Sequence, residues 1–484
     1  MSNVMKIYFC VLLLFCGIHL QAQNVEVSTQ TAQNLHFSST DSSAKLIVKS
    51  ILVYGNNKTK TYIILREIHL KNGDTVIFNQ LNEELQKARQ QVYNTKLFNA
   101  VEVEPVQVSK DSINIVVHLK ERLYTIPLPK FQLVDRNINE WIQKSKLDLN
   151  RVIYGIKFTQ YNLTGRRDYL RFVLLNGYTR NYSFTYSNPS INKKLTKGFI
   201  IGGGFVQNKD FIYKTGKDNK PIFFNNGQFA SQTSFANIGY SIRKNIFGTH
   251  FFNLAYSHVS VTDSLIDAVY NPNYFKQGNS SNANLIDLSY TYQYVNTNNV
   301  AYPLKGITGL FKALKRGLDF SGGTNMFFVE GNVNKFWDLK KKWYASMQLF
   351  GKLTLPFDQS YINQRALGYS DINLRGLELY VVDGVAIGLL RTTLKRKLFS
   401  FNIHMPFKSK QFGTIPFSFF AKTYGDLGYV YNKEIYQTNL NNKLLYSGGF
   451  GLDILTLFDV NLRVDYSFNQ LGKNGLFLQP SWLL

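Results

Sequence analysis

From Arg151 to Leu484 the chain is a succession of strand-like segments separated by turns rich in Gly, Asn, Asp and Lys. Clear examples are Tyr169 to Leu175, Tyr182 to Ser187, Gly198 to Val206, Asn253 to Val261, Leu285 to Tyr294, Trp343 to Leu355, Phe417 to Val430 and Val460 to Phe468. None of them approaches the roughly 18 consecutive apolar residues of a membrane-spanning helix. Alternation nevertheless hides a membrane barrel from hydropathy, because lipid-facing and lumen-facing residues cancel. A mean hydropathy of −0.17, with 30 Tyr, 38 Phe, 34 Gly and 11 Pro, fits many half-apolar strands. A soluble all-β chain shares that composition, but at this length it would need two domains and a linker, and none is visible. At a strand plus turn per roughly 20 residues, residues 151–484 make about 16 strands, an even number as bacterial barrels require. Long polar insertions, Gln207 to Gly227 and Asp263 to Asn282, alternate with short turns such as Lys244 to Gly248. That asymmetry separates extracellular loops from periplasmic turns. Closure matters physically: lipid offers no hydrogen bonds, so only a barrel without an edge satisfies every strand.

The N-terminus reads as an export signal over residues 1–22. Lys6 precedes an apolar core from Ile7 to Ile18, and Ala22 offers a small residue for cleavage. Cys10 and Cys16 both fall inside it, so the mature chain is expected to lack disulfides and thiolate metal sites. Phe15 before Cys16 argues against lipoprotein processing. Residues 23–45 are a polar, aperiodic flexible leader. The net charge of +24 points, for an exported chain, to lipid head groups or lipopolysaccharide phosphates rather than nucleic acid. Lys and Arg scattered over loops and lumen explain it equally well.

Residues 46–122 form a compact α+β unit. Leu46 to Tyr54 is a β-branched run ending at the turn Gly55-Asn56-Asn57, and Thr61 to Leu70 reads as a helix. A second helix runs from about Asn79 to Thr95, with Leu81, Leu85, Ala88 and Val92 on one face. Strands Ala100 to Val108 and Ser112 to Leu119 complete it, and residues 123–150, with Pro127, Pro129 and Trp141, read as a connector.

Several of these pieces occur together in one family. Val53-Tyr54-Gly55-Asn56 with Thr59, Gly73-Asp74, the run Tyr93 to Val101 and the closing Val117 to Arg122 resemble a POTRA domain, the polypeptide-transport-associated module found before outer-membrane barrels. Tyr161-Asn162-Leu163-Thr164-Gly165-Arg166, ahead of a hairpin ending Tyr186-Ser187-Asn188-Pro189, is similar to the opening strands of BamA/TamA-family barrels. Leu374-Arg375-Gly376-Leu377, between Pro356 and Val385, resembles the family's Arg-Gly motif in a loop that folds back into the lumen. The resemblance implies that Arg375 and Gly376 meet Gly425-Asp426-Leu427-Gly428 on the inner wall, with Asp426 and Gly428 as the matching positions. An Arg–Asp pair there is charge-assisted, and it positions the loop more than it stabilises the fold. Thr393 stands where the family often has a second acid, Leu377 where it has an aromatic, and only one POTRA unit precedes the barrel.

The fold implied is an α+β POTRA domain followed by a transmembrane antiparallel β-barrel of about 16 strands, in the outer membrane with POTRA in the periplasm. The function implied is assembly, insertion or translocation of unfolded outer-membrane or exported polypeptides, with outer-membrane lipid and assembly lipoproteins as further partners. POTRA would capture them by β-augmentation, for which Val101 and Val103 mark the edge. Pro480, which lacks an N–H, marks the seam between first and last strands. The alternative is a passive pore or a barrel handling lipid or lipopolysaccharide. No cofactor, metal or enzyme activity is expected. The six histidines beyond the signal (His36, His69, His118, His250, His258, His404) fall in no nucleophile motif or metal spacing, and Gly202-Gly203-Gly204 lacks the Lys-Ser/Thr of a phosphate loop.

Overall fold

The computed structural model describes residues 43–134, 146–266, 270–275, 280–317, 325–369, 372–404, 414–433, 438–456 and 460–481. The export signal, the leader up to residue 42, His36, Trp141 and Trp482 lie outside the described residues.

The N-terminal unit comprises β1 (Lys45–Tyr54), α1 (Thr61–Leu65), β2 (Thr75–Ile77), α2 (Phe78–Tyr93), β3 (Phe98–Ser109) and β4 (Ser112–Glu121). Its sheet has the order β2-β1-β4-β3, with β1 parallel to β4 and the other pairs antiparallel. Leu81, Leu85, Ala88 and Val92 lie on one face of α2 and pack with Val48, Ile113, Ile115 and Val117 in one core. Each large aliphatic side chain buried this way stabilises the unit by about 1.5–3 kcal/mol. Gly55 carries φ +87°, and a Cβ there would lie 2.0 Å from the Leu119 carbonyl oxygen, so the β1 turn needs glycine. The first helix stops at Leu65 rather than Leu70, as tertiary burial overrides the helical pattern. Beyond it Glu67, Ile68 and Leu70 are buried.

A sixteen-stranded antiparallel sheet follows. It opens with β5 (Thr125–Leu133), β6 (Val152–Tyr161), β7 (Tyr169–Gly177), β8 (Thr179–Asn188) and β9 (Lys197–Asn208). The hairpin β10 (Phe211–Thr215) and β11 (Pro221–Phe224) is inserted next. The wall resumes with β12 (Ser231–Ile242), β13 (Gly248–Val261), β14 (Asn282–Thr297), β15 (Gly306–Arg316), β16 (Met326–Asp338) and β17 (Trp343–Leu355). A short pair, β18 (Arg365–Leu367) and β19 (Val382–Asp383), interrupts it. It ends with β20 (Ala386–His404), β21 (Thr414–Tyr431), β22 (Leu444–Leu455), β23 (Asn461–Asn469) and β24 (Asn474–Ser481). The ladder runs from β5 to β24, and among the described residues no ladder joins those two.

The supposed connector 123–150 thus contains the first strand of the wall, a correction to the boundary at residue 151. Pro127 and Pro129 pair opposite Phe158 and Ile156, and β5 tolerates them because it is bonded on one side only. The insertion Gln207 to Gly227 is also no simple polar loop. Its hairpin packs Phe211, Tyr213 and Phe224 against Tyr270 and Tyr274.

The wall is inverted relative to a soluble domain. Leu174, Ile238, Leu288, Phe311, Leu349 and Leu427 are exposed on its outside. The inside carries the Arg316–Asp287 pair, Gln348 donating to Asn332 at 3.0 Å, and Lys422 buried against Asp453. Among the described residues no helix is long and apolar enough to cross a membrane, which does not bear on crossing by strands. The Gly202–Gly204 run lies mid-strand in β9, where a Cβ on Gly204 would fall 2.5 Å from Ser183 Cβ.

Candidate functional site

The connection from β17 to β20 carries Leu374, Arg375, Gly376 and Leu377 into the lumen. Arg375 donates from Nε to Asp426 Oδ2 at 2.9 Å and from its terminal nitrogen to Asp426 Oδ1, a two-point grip on β21. Its backbone N–H reaches the same carboxylate at 3.2 Å. The other terminal nitrogen donates to Thr393 Oγ1 at 2.9 Å, so the hydroxyl serves where an acid was anticipated. The guanidinium also lies 4.0 Å from the Tyr424 ring centroid. Asp426 is 1% exposed, so an unpartnered charge there would be costly.

The flanking residues explain the rest of the motif. Gly376 has φ +86°, and its carbonyl accepts from Asn469 Nδ2 at 2.7 Å. On the wall, a Cβ at Gly428 would meet Leu389 at 2.7 Å and Leu374 at 3.0 Å; glycine leaves the gap that Leu374 fills. Leu374 and Leu377 are fully buried in a cluster with Val382, Val430 and Leu445, so Leu377 does the packing for which an aromatic was anticipated. Glu378, which sequence reasoning missed, accepts from the Gly376 N–H at 2.7 Å and from Gln479 Nε2 at 3.2 Å. The loop therefore touches β20, β21, β23 and the last strand, β24. A carboxylate three residues after the Arg was the only sequence signal for that link. Pro480, opposite Leu462, lies on β24 beside Gln479.

A second polar cluster joins the N-terminal unit to the near rim of the wall. Glu67, 4% exposed, accepts from both terminal nitrogens of Arg243, at 2.5 and 2.7 Å, and from Arg66 at 3.2 Å, with Arg167 3.9 Å away. Burial alone would raise the Glu67 carboxyl, but the surrounding arginines, Arg243 foremost, hold it below its usual range. Burial pushes the Arg167 guanidinium down to about 10, against the pull of Glu67. The Tyr161 to Arg166 motif is part of this joint: Asn162 Nδ2 donates to Thr59 Oγ1 at 2.9 Å, and Lys60 N–H to the Gly165 carbonyl at 3.0 Å.

The β14–β15 turn extends the joint into the lumen. Asn94, at the end of α2, donates to the Thr297 carbonyl at 2.8 Å and accepts from Val300 N–H at 3.0 Å. Two residues on, Tyr302 donates to Asp453 Oδ2 at 2.7 Å and accepts from Lys395 at 3.1 Å. Lys422 pairs with both Asp453 and Asp465 at 2.7 Å. At the far rim, buried Asn219 of the β10–β11 hairpin bonds Val381, Leu440 and Asn441. Both mouths of the lumen are thereby crossed by side chains.

Val101 and Val103, marked as a POTRA edge, lie on β3 with their side chains turned inward. β3 is an edge strand, but Val101 is 1% exposed and Val103 packs against the same core. Alternation turns both side chains toward the helices, and Arg89 Nε already donates to the Val101 carbonyl at 2.9 Å. The outward side chains of that stretch are Glu102 and Glu104. His250 and His258 share β13 but bond Tyr290 and Asn284 respectively, and no metal-holding group of three or more His, Cys, Asp or Glu exists among the described residues.

Residues 46–122 match the family described as POTRA: Surface antigen variable number repeat. No curated protein sequence matches the chain. Among solved structures, BamA from Haemophilus ducreyi lacking POTRA domains 1–3 aligns at 15% identity and TM-score 0.48, over 90% of this chain and 84% of that one. CdiB from Escherichia coli aligns at 10% identity and TM-score 0.46, over 94% and 91%. CdiB from Acinetobacter baumannii gives 11% and 0.44, over 90% and 73%. The family match and the observed ladder together make the chain a POTRA domain joined to a sixteen-stranded antiparallel β-barrel, the architecture that the BamA/TamA resemblance implies.

Proposed function

We propose that this protein sits in the bacterial outer membrane, with POTRA in the periplasm, and assembles or translocates other polypeptides there. The observation that carries the reading is the POTRA domain seated on the rim of an inverted barrel whose outer face is apolar and whose lumen is charged. A wall that exposes Leu, Ile and Phe all round is suited to lipid, not water. The backbone of β3 is the element for strand addition by an incoming chain, at positions away from the capped Val101 carbonyl. The seam lies between β5 and β24, where Pro127, Pro129 and Pro480 reduce the ladder donors. Arg375 locks the folded-back loop onto β21, and Glu378 carries that lock to β24 beside the seam. Work of this kind proceeds by binding and release, with no covalent step. A passive pore is disfavoured by the side chains that cross both mouths.

The test is quantitative outer-membrane proteomics after depletion, with wild type and Arg375→Ala as complementing copies. Loss of many barrels indicates general insertion, and loss of one or a few exported proteins a dedicated translocator. An unchanged proteome overturns the reading.

A further inference from the structure

β20 and β21 are longer than the wall they belong to. β17 pairs with β20 only as far as Trp343 opposite Arg396, and β22 pairs with β21 only as far as Leu455 opposite Ser418. Beyond these points β20 and β21 continue together to His404 opposite Thr414. The overhang from Phe399 to His404 is a two-stranded ribbon, about 20 Å long at about 3.4 Å per residue. It leaves the rim on the POTRA side, where the β16–β17 turn also lies.

The ribbon is sharply two-faced. Its facing pairs alternate between Phe399–Phe419, Phe401–Phe417 and Ile403–Ile415 on one side and Ser400–Ser418 and Asn402–Pro416 on the other. The four phenylalanines stack, with ring centroids 4.7 Å apart for Phe399 and Phe419 and 5.5 Å for Phe401 and Phe417. Phe399, Phe401 and Ile403 are nonetheless exposed. Alternation identifies which way this face looks. Lys422, Tyr424 and Asp426 of β21 point into the lumen, so Leu427, Ala421, Phe419 and Phe417 point outward. The shift in register between Lys397 and Phe399 absorbs one residue and keeps the β20 aromatics on that same outer side.

The apolar outer surface of the wall therefore continues past the length that a bilayer needs. The stretch Phe419–Tyr429 alone suffices for a crossing, which takes about 9–11 residues of tilted strand. Where the wall ends, the outer side carries Trp337 and Trp343, the residue type that favours a membrane–water boundary. Arg396 lies 5.3 Å from the Trp343 ring, and the exposed turn Lys340-Lys341-Lys342 borders it, with Lys397 N–H donating to the Lys342 carbonyl at 2.9 Å. Leu339, Lys340, Lys341, Trp343 and Leu394 line a shallow recess at this level. The carboxylate on that turn, Asp338, is turned to the Lys340 N–H.

We propose that the β20–β21 ribbon is an interfacial anchor: its phenylalanine face enters the periplasmic leaflet, and Arg396 with Lys340, Lys341 and Lys342 binds the phosphates of anionic phospholipids. The proposal rests on the outer-membrane reading above. Lipid is the occupant because the face is continuous with the lipid-facing wall, and the cations beside it match anionic head groups. The anchor fixes the barrel's height and tilt on the side three strands from β24, leaving the seam itself free.

The experiment uses the full chain with Cys10 and Cys16 replaced by Ser, so that a single introduced cysteine is unique. Phe401→Cys, Asn402→Cys and Leu427→Cys are labelled with an environment-sensitive fluorophore and reconstituted into phosphatidylcholine vesicles, with or without phosphatidylglycerol, carrying spin-labelled acyl chains. The expected result is quenching at 401 comparable to 427 and several-fold above 402. Phosphatidylglycerol should increase quenching at 401, and replacing Lys340, Lys341, Lys342 and Arg396 together by Ser should abolish that increase. Quenching at 427 but not at 401 overturns the anchor and leaves the membrane reading standing. Quenching at neither overturns both. A blue-shifted, unquenched 401 assigns the face to a second protein surface and overturns the lipid assignment. Equal quenching with and without phosphatidylglycerol overturns the head-group site.

Discussion

Val48 on β1 and Leu427 on β21 are both aliphatic and both lie on strands, yet Val48 is 0% exposed and Leu427 is 45% exposed. The POTRA unit uses period-two alternation to turn apolar residues inward onto α2; the barrel uses the same period to turn them outward. Polar groups follow the reverse rule. In POTRA a buried charge is exceptional, and Glu67 is tolerated because the barrel supplies Arg243 and Arg167 to meet it. In the barrel buried charge is ordinary, and Asp426, Asp453 and Asp465 line the lumen with partners from loops and neighbouring strands. Burial thus makes the POTRA fold, whereas in the lumen pairing decides where loops and turns are held.

The largest effect is expected where the lumen's pairing is broken on one side. Asp426→Ala leaves the Arg375 guanidinium facing Thr393 and the Thr392 carbonyl without its carboxylate. Breaking such a pair costs about 3–5 kcal/mol, here expressed as release of the 356–385 loop. Protease sensitivity of that loop should rise in Asp426→Ala and fall back toward wild type in the Arg375→Met/Asp426→Leu double variant. A loop equally resistant in all three would show that the packing of Leu374 and Leu377 suffices.

The outward face gives the next effect. Leu349→Arg, at the centre of β17 on the outward face, should destabilise the barrel in a bilayer by about 2–4 kcal/mol, measured by reversible unfolding into urea from vesicles. Ile47→Arg, at a 48% exposed position on β1 of the POTRA sheet, should stay within about 0.5 kcal/mol. Equal costs at the two sites would erase the inversion argued above.

The joint comes third. Glu67→Gln exchanges a carboxylate held by arginines for a neutral amide, a loss of about 1.5–3 kcal/mol in docking. The pH response follows from the depressed Glu67 carboxyl. A group whose folded value lies below its unfolded one contributes fully above the unfolded value, near 4.5, and loses that contribution as pH falls through the folded value. Spin labels on α2 and on the β12–β13 turn should therefore report one fixed distance at neutral pH and a broadened one only well below pH 4.5. Glu67→Gln should show the broad distribution at every pH.

How much of this was legible depended on whether a feature is local. The β-rich architecture and the strand number follow from period two and turn spacing, whereas the pairing of Arg375 with Asp426 was legible only through the BamA/TamA resemblance of the two short segments that carry them. The start of the wall was hidden because Pro127 and Pro129 read as loop unless β5 is known to be an edge. The edge position of β3 leaves open which way Val101 and Val103 point, because alternation names two faces and does not say which one meets α2. Glu67, Arg243 and Glu378 carried no usable signal: their partners lie far away in sequence, and single charged residues in loops are common.

The smallest effect addresses whether the POTRA joint and the lumen network are one device. The β14–β15 turn is held by Asn94 on one side and inserts Tyr302 between Asp453 and Lys395 on the other. Tyr302→Phe keeps the ring beside Phe420, 5.1 Å away, and removes only the hydroxyl, a loss of about 0.5–1.5 kcal/mol. Asn94→Ala removes the grip from the POTRA side at a similar cost. If the turn is rigid, either change loosens both contacts, and the double variant should lose less than the sum of the two by about 0.5 kcal/mol or more. Strict additivity in a double-mutant cycle would mean that POTRA and the lumen bind the turn independently, and that movement of POTRA does not reach Asp453.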